Sequence, residues 1–251
     1  DLALPSAAYV CEKAGLCTVS TTAVAQTVDK IVFRALQKKH HLRAPRYYTC
    51  ASVDQAVRKI QTLTGAWVIK PTDSSGSKGI SLVELGKTEN WTEAIETAFS
   101  FSRTHQIVIE EYLVGIHCSV DGALQDGLLV QLYITNKSLT PLPHLTPTGH
   151  TLPSSLPPAT QKAISETVLQ MLKLLRVKTT LFDFDILVEP DGTIVIIEMS
   201  LRIGGNGIPT LIKYATGFEL HEAALSLALG LTLPLTKQRT VSKCTGLYLL
   251  R

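Results

Sequence analysis

The chain has 251 residues, of which 45% are hydrophobic and 18% charged, and a formal net charge of +3. That is enough apolar material for one large domain or two lobes. The small, scattered excess of Lys and Arg argues against a strongly basic nucleic-acid surface, and no apolar run reaches the roughly 18 residues of a membrane span.

The first ten residues are apolar, but Asp1 opens them with no basic segment ahead, which does not fit a signal peptide. Cys11, Cys17, Cys50, Cys118 and Cys244 are odd in number and lack CxxC or CxxxxC spacing. A disulfide framework or a zinc site is not expected and a reducing cytoplasm is the default, with Cys50 and Cys118, at the ends of apolar strands, reading as small buried hydrophobes.

In chain order, Pro5 to Gly15 reads as a short helix and Asp29 to His40 as another, with Ile31, Val32, Ala35 and Leu36 on its apolar side. The chain stiffens at Ala44-Pro45, and Ser52 with Gln55 three residues on gives a capping box for a third helix. Trp67 to Ile69 and Ile80 to Val83 read as strands around the polar loop Pro71 to Gly79. A helix follows from Trp91 to Arg103, then an apolar strand from Ile107 to Tyr112. Ser119 to Leu124 and Leu128 to Thr135 form a hairpin turning near Asp126-Gly127. Thr140 to Ala159, rich in Pro, Thr and Ser, reads as one long loop, with the stretch around Pro143 to Pro158 a candidate lid. Thr160 to Arg176 is an amphipathic helix. Leu181 to Val188 and Thr193 to Met199 are strands, and helices begin at Pro209 and Phe218. The order predicts an α+β or mixed α/β architecture with antiparallel hairpins.

Four stretches carry chemistry. In Lys70-Pro71-Thr72-Asp73-Ser74-Ser75-Gly76-Ser77-Lys78-Gly79 a strand delivers a lysine into a loop of small residues. Such a loop lets backbone N–H groups approach phosphate oxygens, although a plain hairpin turn reads the same way. It is neither a Walker A loop nor GxGxxG. Asp183, Asp185, Glu198 and Ser200 alternate along two neighbouring strands, so each pair shares a face. Hard oxygen donors of this kind suit Mg²⁺, or else a solvated sheet face. Arg202-Ile203-Gly204-Gly205-Asn206-Gly207-Ile208-Pro209 places an arginine and freed backbone before a helix, for an anion or as a simple capping loop. Ile107 to Leu113 runs an apolar strand into Glu110 and Glu111, whose edge can meet a purine or merely exit into solvent.

Taken together and in this order, the four stretches resemble the ATP-grasp superfamily from about Asp29 to Gly230. The run Glu198 to Gly217 most resembles its carboxylate–amine ligases of the amino-acid and dipeptide type. The resemblance implies nucleotide sandwiched between two α+β lobes: 44–114 as the small lobe, 115–251 as the large lobe, and 1–43 as the remnant of a preceding lobe with part of it missing. It implies that Lys70 contacts the α- and β-phosphates, that Lys30 is the earlier nucleotide-binding lysine, and that Ser74, Ser75, Gly76, Ser77 and Gly79 form a loop over the triphosphate. Glu110 would accept from adenine N6, and the backbones of Glu111 and Leu113 would bind the ring. His117 stands where a ribose-binding glutamate is usual. Asp185 and Glu198, with Ser200 in place of the usual Asn, would hold Mg²⁺ (Mn²⁺ being an alternative), and Arg202 would stabilise the transferred phosphoryl group. The implied protein is a cytoplasmic ATP-dependent ligase for a small-molecule carboxylate and amine, compatible with a homodimer, without nucleic-acid or membrane partners. A bicarbonate-activating carboxylase-type enzyme and a nucleotide-binding module without turnover are the alternatives.

Overall fold

A computed structural model describes residues 3–16, 19–74, 76–87, 90–141, 145–234 and 240–249. The elements run α1 (Leu4–Lys13), α2 (Thr21–Val28), α3 (Lys30–Lys39), β1 (Tyr47–Cys50), α4 (Val53–Ile60), β2 (Ala66–Pro71), β3 (Ser81–Glu84), α5 (Trp91–Phe101) and β4 (Ile107–Glu111). They continue with β5 (Ile116–Gln125), β6 (Leu128–Leu139), β7 (Pro147–Leu152), α6 (Pro158–Leu174), β8 (Thr180–Val188), β9 (Ile194–Ser200), α7 (Ile208–Thr216), α8 (Leu220–Ala228) and β10 (Thr245–Tyr248). The class is α+β, as the order of elements predicts.

The chain forms two compact units. The first comprises Asp29–Val114 with Leu139–Thr146, and the second the described parts of 2–28, Gly115–Ser138 and the described parts of 147–251. In the first unit the sheet order is β1-β4-β2-β3, with each neighbouring pair antiparallel. Trp67, Ile69, Ile107 and Ile109 alternate onto one face and pack with Ile60 of α4 and Ile95 of α5. The other face therefore receives Val68, Lys70, Val108 and Glu110. Helix α4 starts at the predicted Ser52 cap: Ser52 Oγ accepts from Gln55 N at 3.2 Å, while Gln55 Oε1 reaches one residue before the cap and accepts from Ala51 N at 2.9 Å.

The second unit has the sheet order β10-β7-β6-β5-β8-β9. Asp126 (φ 53°) and Gly127 (φ 80°) both lie in the left-handed region that a two-residue hairpin turn between β5 and β6 requires. On one sheet face Ala123, Tyr133, Leu152 and Leu181 pack with Leu211 and Ile212 of α7 and with Leu220 and Ala223 of α8. Farther along the same strands this face turns polar.

Several local expectations are corrected. The long loop Thr140 to Ala159 is interrupted by β7, whose alternate residues His150 and Leu152 are buried. Helix α2 and strands β1 and β10 are additional elements. Helix α3 buries Lys30, Phe33, Arg34, Leu36 and Gln37, whereas Val32 is exposed and Ile31 is half-buried, so its inner stripe is largely polar. The reason lies in its neighbour: α3 carries its polar stripe where Lys70 and Glu110 leave the apolar core, and ion pairs stand in for apolar contacts there.

Candidate active site

Within the first unit, α3 and the polar sheet face build a cationic cluster. Val68 is the cross-strand partner of Glu110, so Lys70, two residues on, lies diagonally beside that carboxylate. Lys70 Nζ lies 2.5 Å from Glu110 Oε2. Arg34, 0% exposed, reaches the same carboxylate with Nε at 2.9 Å and NH2 at 3.2 Å. Burial would raise the Glu110 pKa, but Arg34 and Lys70 outweigh it and hold it at about 2. Burial pushes the Lys70 pKa down, assisted by Arg34 and Lys30 and opposed by Glu110. Lys30, the first residue of α3, donates from Nζ to Ser74 O at 2.9 Å, which ties it to the start of the loop. Asp29 caps the helix by accepting from Ile31 N and Val32 N. Two cations, Arg34 and Lys70, thus share one carboxylate, with Lys30 near enough to Lys70 to lower its pKa, and the excess positive charge suits an anion.

The loop after β2 is anchored at both ends. Asp73 accepts from the backbone of Arg103 and Thr104, and Ser74 Oγ donates to Lys78 O at 2.8 Å. Gly76 and Ser77 lie in the turn with positive φ, followed by Gly79; Ser75 lies outside the described residues. Glu111 pairs with Arg46 at 3.0 Å, and Leu113 is buried just past β4. The Glu110 carboxylate is engaged by Arg34 and Lys70 instead of projecting unaccompanied, a partnership that no local pattern announced.

Within the second unit, strand register brings the acids together. Asp185 faces Glu198 across β8 and β9, and Asp183 faces Ser200 and, on the other side, Asp121 of β5. Lys137 Nζ lies 2.6 Å from Asp185 Oδ2, while Ser119 Oγ donates to Asp185 Oδ1 at 3.1 Å. Burial would raise the Asp185 pKa, but Lys137 and Ser119 leave it lowered. Arg202 pairs with Asp183: NH1 donates to Asp183 Oδ2 at 2.5 Å and to Ile203 O at 2.8 Å. Burial and the neighbouring Asp185 push Asp183 up to about 6, against the pull of Arg202. His117, paired across strands with Leu187, is kept below its usual pKa by burial and Lys137, with Asp185 opposing. After Arg202 the glycine-rich turn leads into α7, with Pro209 in its first turn.

Among the described residues no three His, Cys, Asp or Glu side chains group as a self-sufficient metal site. Two carboxylates on adjacent strands are nevertheless the donor set Mg²⁺ takes when phosphates and water complete its shell, so the donor chemistry of Asp185 and Glu198 fits that ion. The sequence pattern did not single out Arg34, Asp121, Lys137 or His150. The one signal available was the alternation Ser119, Asp121 and Thr135, Lys137 in phase with the acids of β8.

Comparison with known proteins agrees with this fold. Residues 63–210, more than half of the chain, match the model of the ATP-grasp domain. The chain belongs to the ATP-grasp family. An L-amino acid ligase from Bacillus licheniformis superposes with a TM-score of 0.82 at 21% identity, over 98% of this chain and 59% of that one. The biotin carboxylase domain of a 2-oxoglutarate carboxylase from Hydrogenobacter thermophilus, solved with MgADP and bicarbonate, gives a TM-score of 0.76 at 17% identity over 96% of this chain and 55% of that one. Carnosine synthase 1 of Gallus gallus is 24% identical over 70% of this chain and 19% of its own length. A carbamoyl phosphate synthase large chain of Halomonas eurihalina is 26% identical over 89% of this chain and 21% of its own. The chain therefore spans about a fifth of these curated relatives and under two thirds of these solved chains. No helix among the described residues is long and apolar enough to cross a membrane.

Proposed function

We propose that the protein is an ATP- and Mg²⁺-dependent ligase that activates a small-molecule carboxylate as an acyl phosphate for attack by an amine. The observation that carries this reading is the register of Asp185 with Glu198, flanked by Lys137 and Arg202 on one polar sheet face. The cationic cluster of Lys30, Arg34 and Lys70 gives further support.

In this reading Lys30 and Lys70 neutralise phosphate oxygens, and the loop Ser74 to Gly79 offers backbone donors. Asp185 and Glu198 hold Mg²⁺, with Ser200 beside them; when bound, that ion lowers the charge on the phosphate oxygens. Arg202 faces the charge that develops on the transferred phosphoryl group, the kind of preorganised stabilisation that dominates phosphoryl transfer. Asp183 holds the Arg202 guanidinium in place. The amine then attacks the acyl carbon and phosphate leaves, forming an amide. The backbones of Glu111 and Leu113 and the side chain of His117 are assigned to the nucleoside. Glu110 is assigned chiefly to fixing Lys70 and Arg34, with adenine N6 as an additional partner.

The test is ADP formation from ATP and Mg²⁺ across a panel of amino acids, other carboxylates and bicarbonate, with product masses measured. An amide product supports the reading. Turnover with bicarbonate alone would replace it with a carboxylase-type activity, and absence of turnover with every acid would leave a nucleotide-binding module.

A further inference from the structure

Arg34 is more deeply enclosed than either of its charged neighbours. It is 0% exposed, against 3% for Glu110 and 5% for Lys70. Every nitrogen of its guanidinium is engaged inside the first unit. Nε donates to Glu110 Oε1 at 2.9 Å, NH2 to Glu110 Oε2 at 3.2 Å, and NH1 to Gln37 Oε1 at 2.8 Å, three residues on along the same helix. A side chain enclosed in this way offers no surface to a nucleotide. Lys70 meets the same carboxylate from another strand, its Nζ 2.5 Å from Oε2. The balance of charge then decides what the cluster can do. Glu110 and Lys70 by themselves make a neutral pair, and a neutral pair gives a phosphate little net attraction. With Arg34 on the carboxylate as well, the three groups keep one net positive charge, and of the two cations Lys70 is the less enclosed.

We infer that Arg34 is a positioning residue: it neutralises and orients Glu110, so that the charge of Lys70 is left for the nucleotide phosphates. Its planar fork fixes the plane of the carboxylate, which a single ammonium group does not, and Gln37 in turn fixes the fork. Arg34 does not act by holding the Lys70 proton, because burial and the Arg34 charge both push the Lys70 pKa down. It acts by answering the charge of Glu110. This inference rests on the assignment of Lys70 to phosphate in the ligase reading, and it adds a residue that works through Glu110 without touching the nucleotide.

The test is calorimetry of ATP and of adenosine with the parent, with Arg34→Met and with the double variant Arg34→Met/Glu110→Gln. Arg34→Met leaves Glu110 and Lys70 as a neutral pair. ATP affinity should fall about tenfold, the scale of one charge-assisted contact, while adenosine affinity should stay. The double variant removes the two opposite charges together and frees Lys70, so the ratio of ATP to adenosine affinity should return close to the parent's. The ratio cancels any change in the adenine contact of Glu110. If Arg34→Met does not fold, Arg34→Gln with the same readouts replaces it. A folded Arg34 variant whose ratio matches the parent's overturns the inference and leaves Arg34 a scaffold residue. A double variant that binds ATP no better than Arg34→Met, relative to adenosine, overturns it in favour of a direct contact between Arg34 and phosphate. Both outcomes leave the ligase reading standing. A parent that binds no ATP overturns that reading, and this inference with it.

Discussion

Lys137 Nζ lies 2.6 Å from Asp185 Oδ2, so the carboxylate assigned to Mg²⁺ is already neutralised by a lysine from the next strand but one. Burial lowers the Lys137 pKa, but Asp185 more than reverses this and leaves it raised. Lys137→Met should therefore leave Asp185 facing Asp183 and Glu198 without its counter-charge. Because the Asp185 side chain keeps 35% of its surface, the loss should be about 1–2 kcal/mol, below the figure for a fully buried pair. Added Mg²⁺ should recover part of it, since a ligand that binds the folded state stabilises it. Thermal melts with and without Mg²⁺ check this; a deficit that Mg²⁺ leaves untouched would separate Lys137 from the metal site.

Glu110 holds Arg34 and Lys70 together inside the first unit. Glu110→Gln should cost about 3–5 kcal/mol by leaving two buried cations facing each other. The pH dependence has a definite sign. The folded pKa is about 2 against an ordinary 4.5, so the ionised group stabilises the fold fully above pH 4.5 and progressively less as pH falls toward 2. The variant should show a flatter acid limb over that window in denaturant melts. ATP and GTP affinities of Glu110→Ala test the adenine contact, because that variant removes the acceptor for N6 and only loss of that contact weakens ATP more than GTP.

Lys70→Ala should weaken ATP binding about ten- to a hundredfold, the scale of one charge-assisted contact to phosphate. Glu110 keeps Arg34 as a partner, so melting should shift less than in Glu110→Gln. Unchanged ATP affinity by calorimetry in a folded variant would remove Lys70 from the phosphate site.

Gly204→Ala should place a methyl group on Asp121 Oδ1. Overpacking of this kind costs about 1–3 kcal/mol. Combining it with Asp121→Ser should restore part of the loss, a coupling that independent sites do not show. Additive melts would mean that the close approach does not shape the turn.

The core elements were legible because their periodicity is strong. β8 and β9 read as strands, and alternation placed Asp183 with Asp185 and Glu198 with Ser200 on shared faces, as the register places them. The capping box at Ser52 and the Asp126-Gly127 turn were local chemistry and carried their own signal. What failed depended on partners. Tyr47 to Cys50 and Pro147 to Leu152 are short and follow or contain proline, and become strands through pairing with β4 and β10. Helix α2, Thr-Thr-Ala-Val-Ala-Gln-Thr-Val, is rich in weak helix formers. Arg34 and Lys137 carried no local signal of their partners, because a sequence does not say which charge will meet its opposite in a buried place.

The central claim is that Asp185 and Glu198 form a metal pair serving ATP-dependent carboxylate activation. The most direct measurement is ADP formation by Glu198→Gln in Mg²⁺, ATP and the accepted carboxylate and amine. The substitution keeps the side chain's shape, so the fold and nucleotide affinity should largely persist. Turnover should fall by about a hundredfold or more, since metal stabilisation of the transition state amounts to several kcal/mol and about 1.4 kcal/mol is tenfold. A Glu198→Gln protein that forms ADP and product at the parent rate would contradict the account.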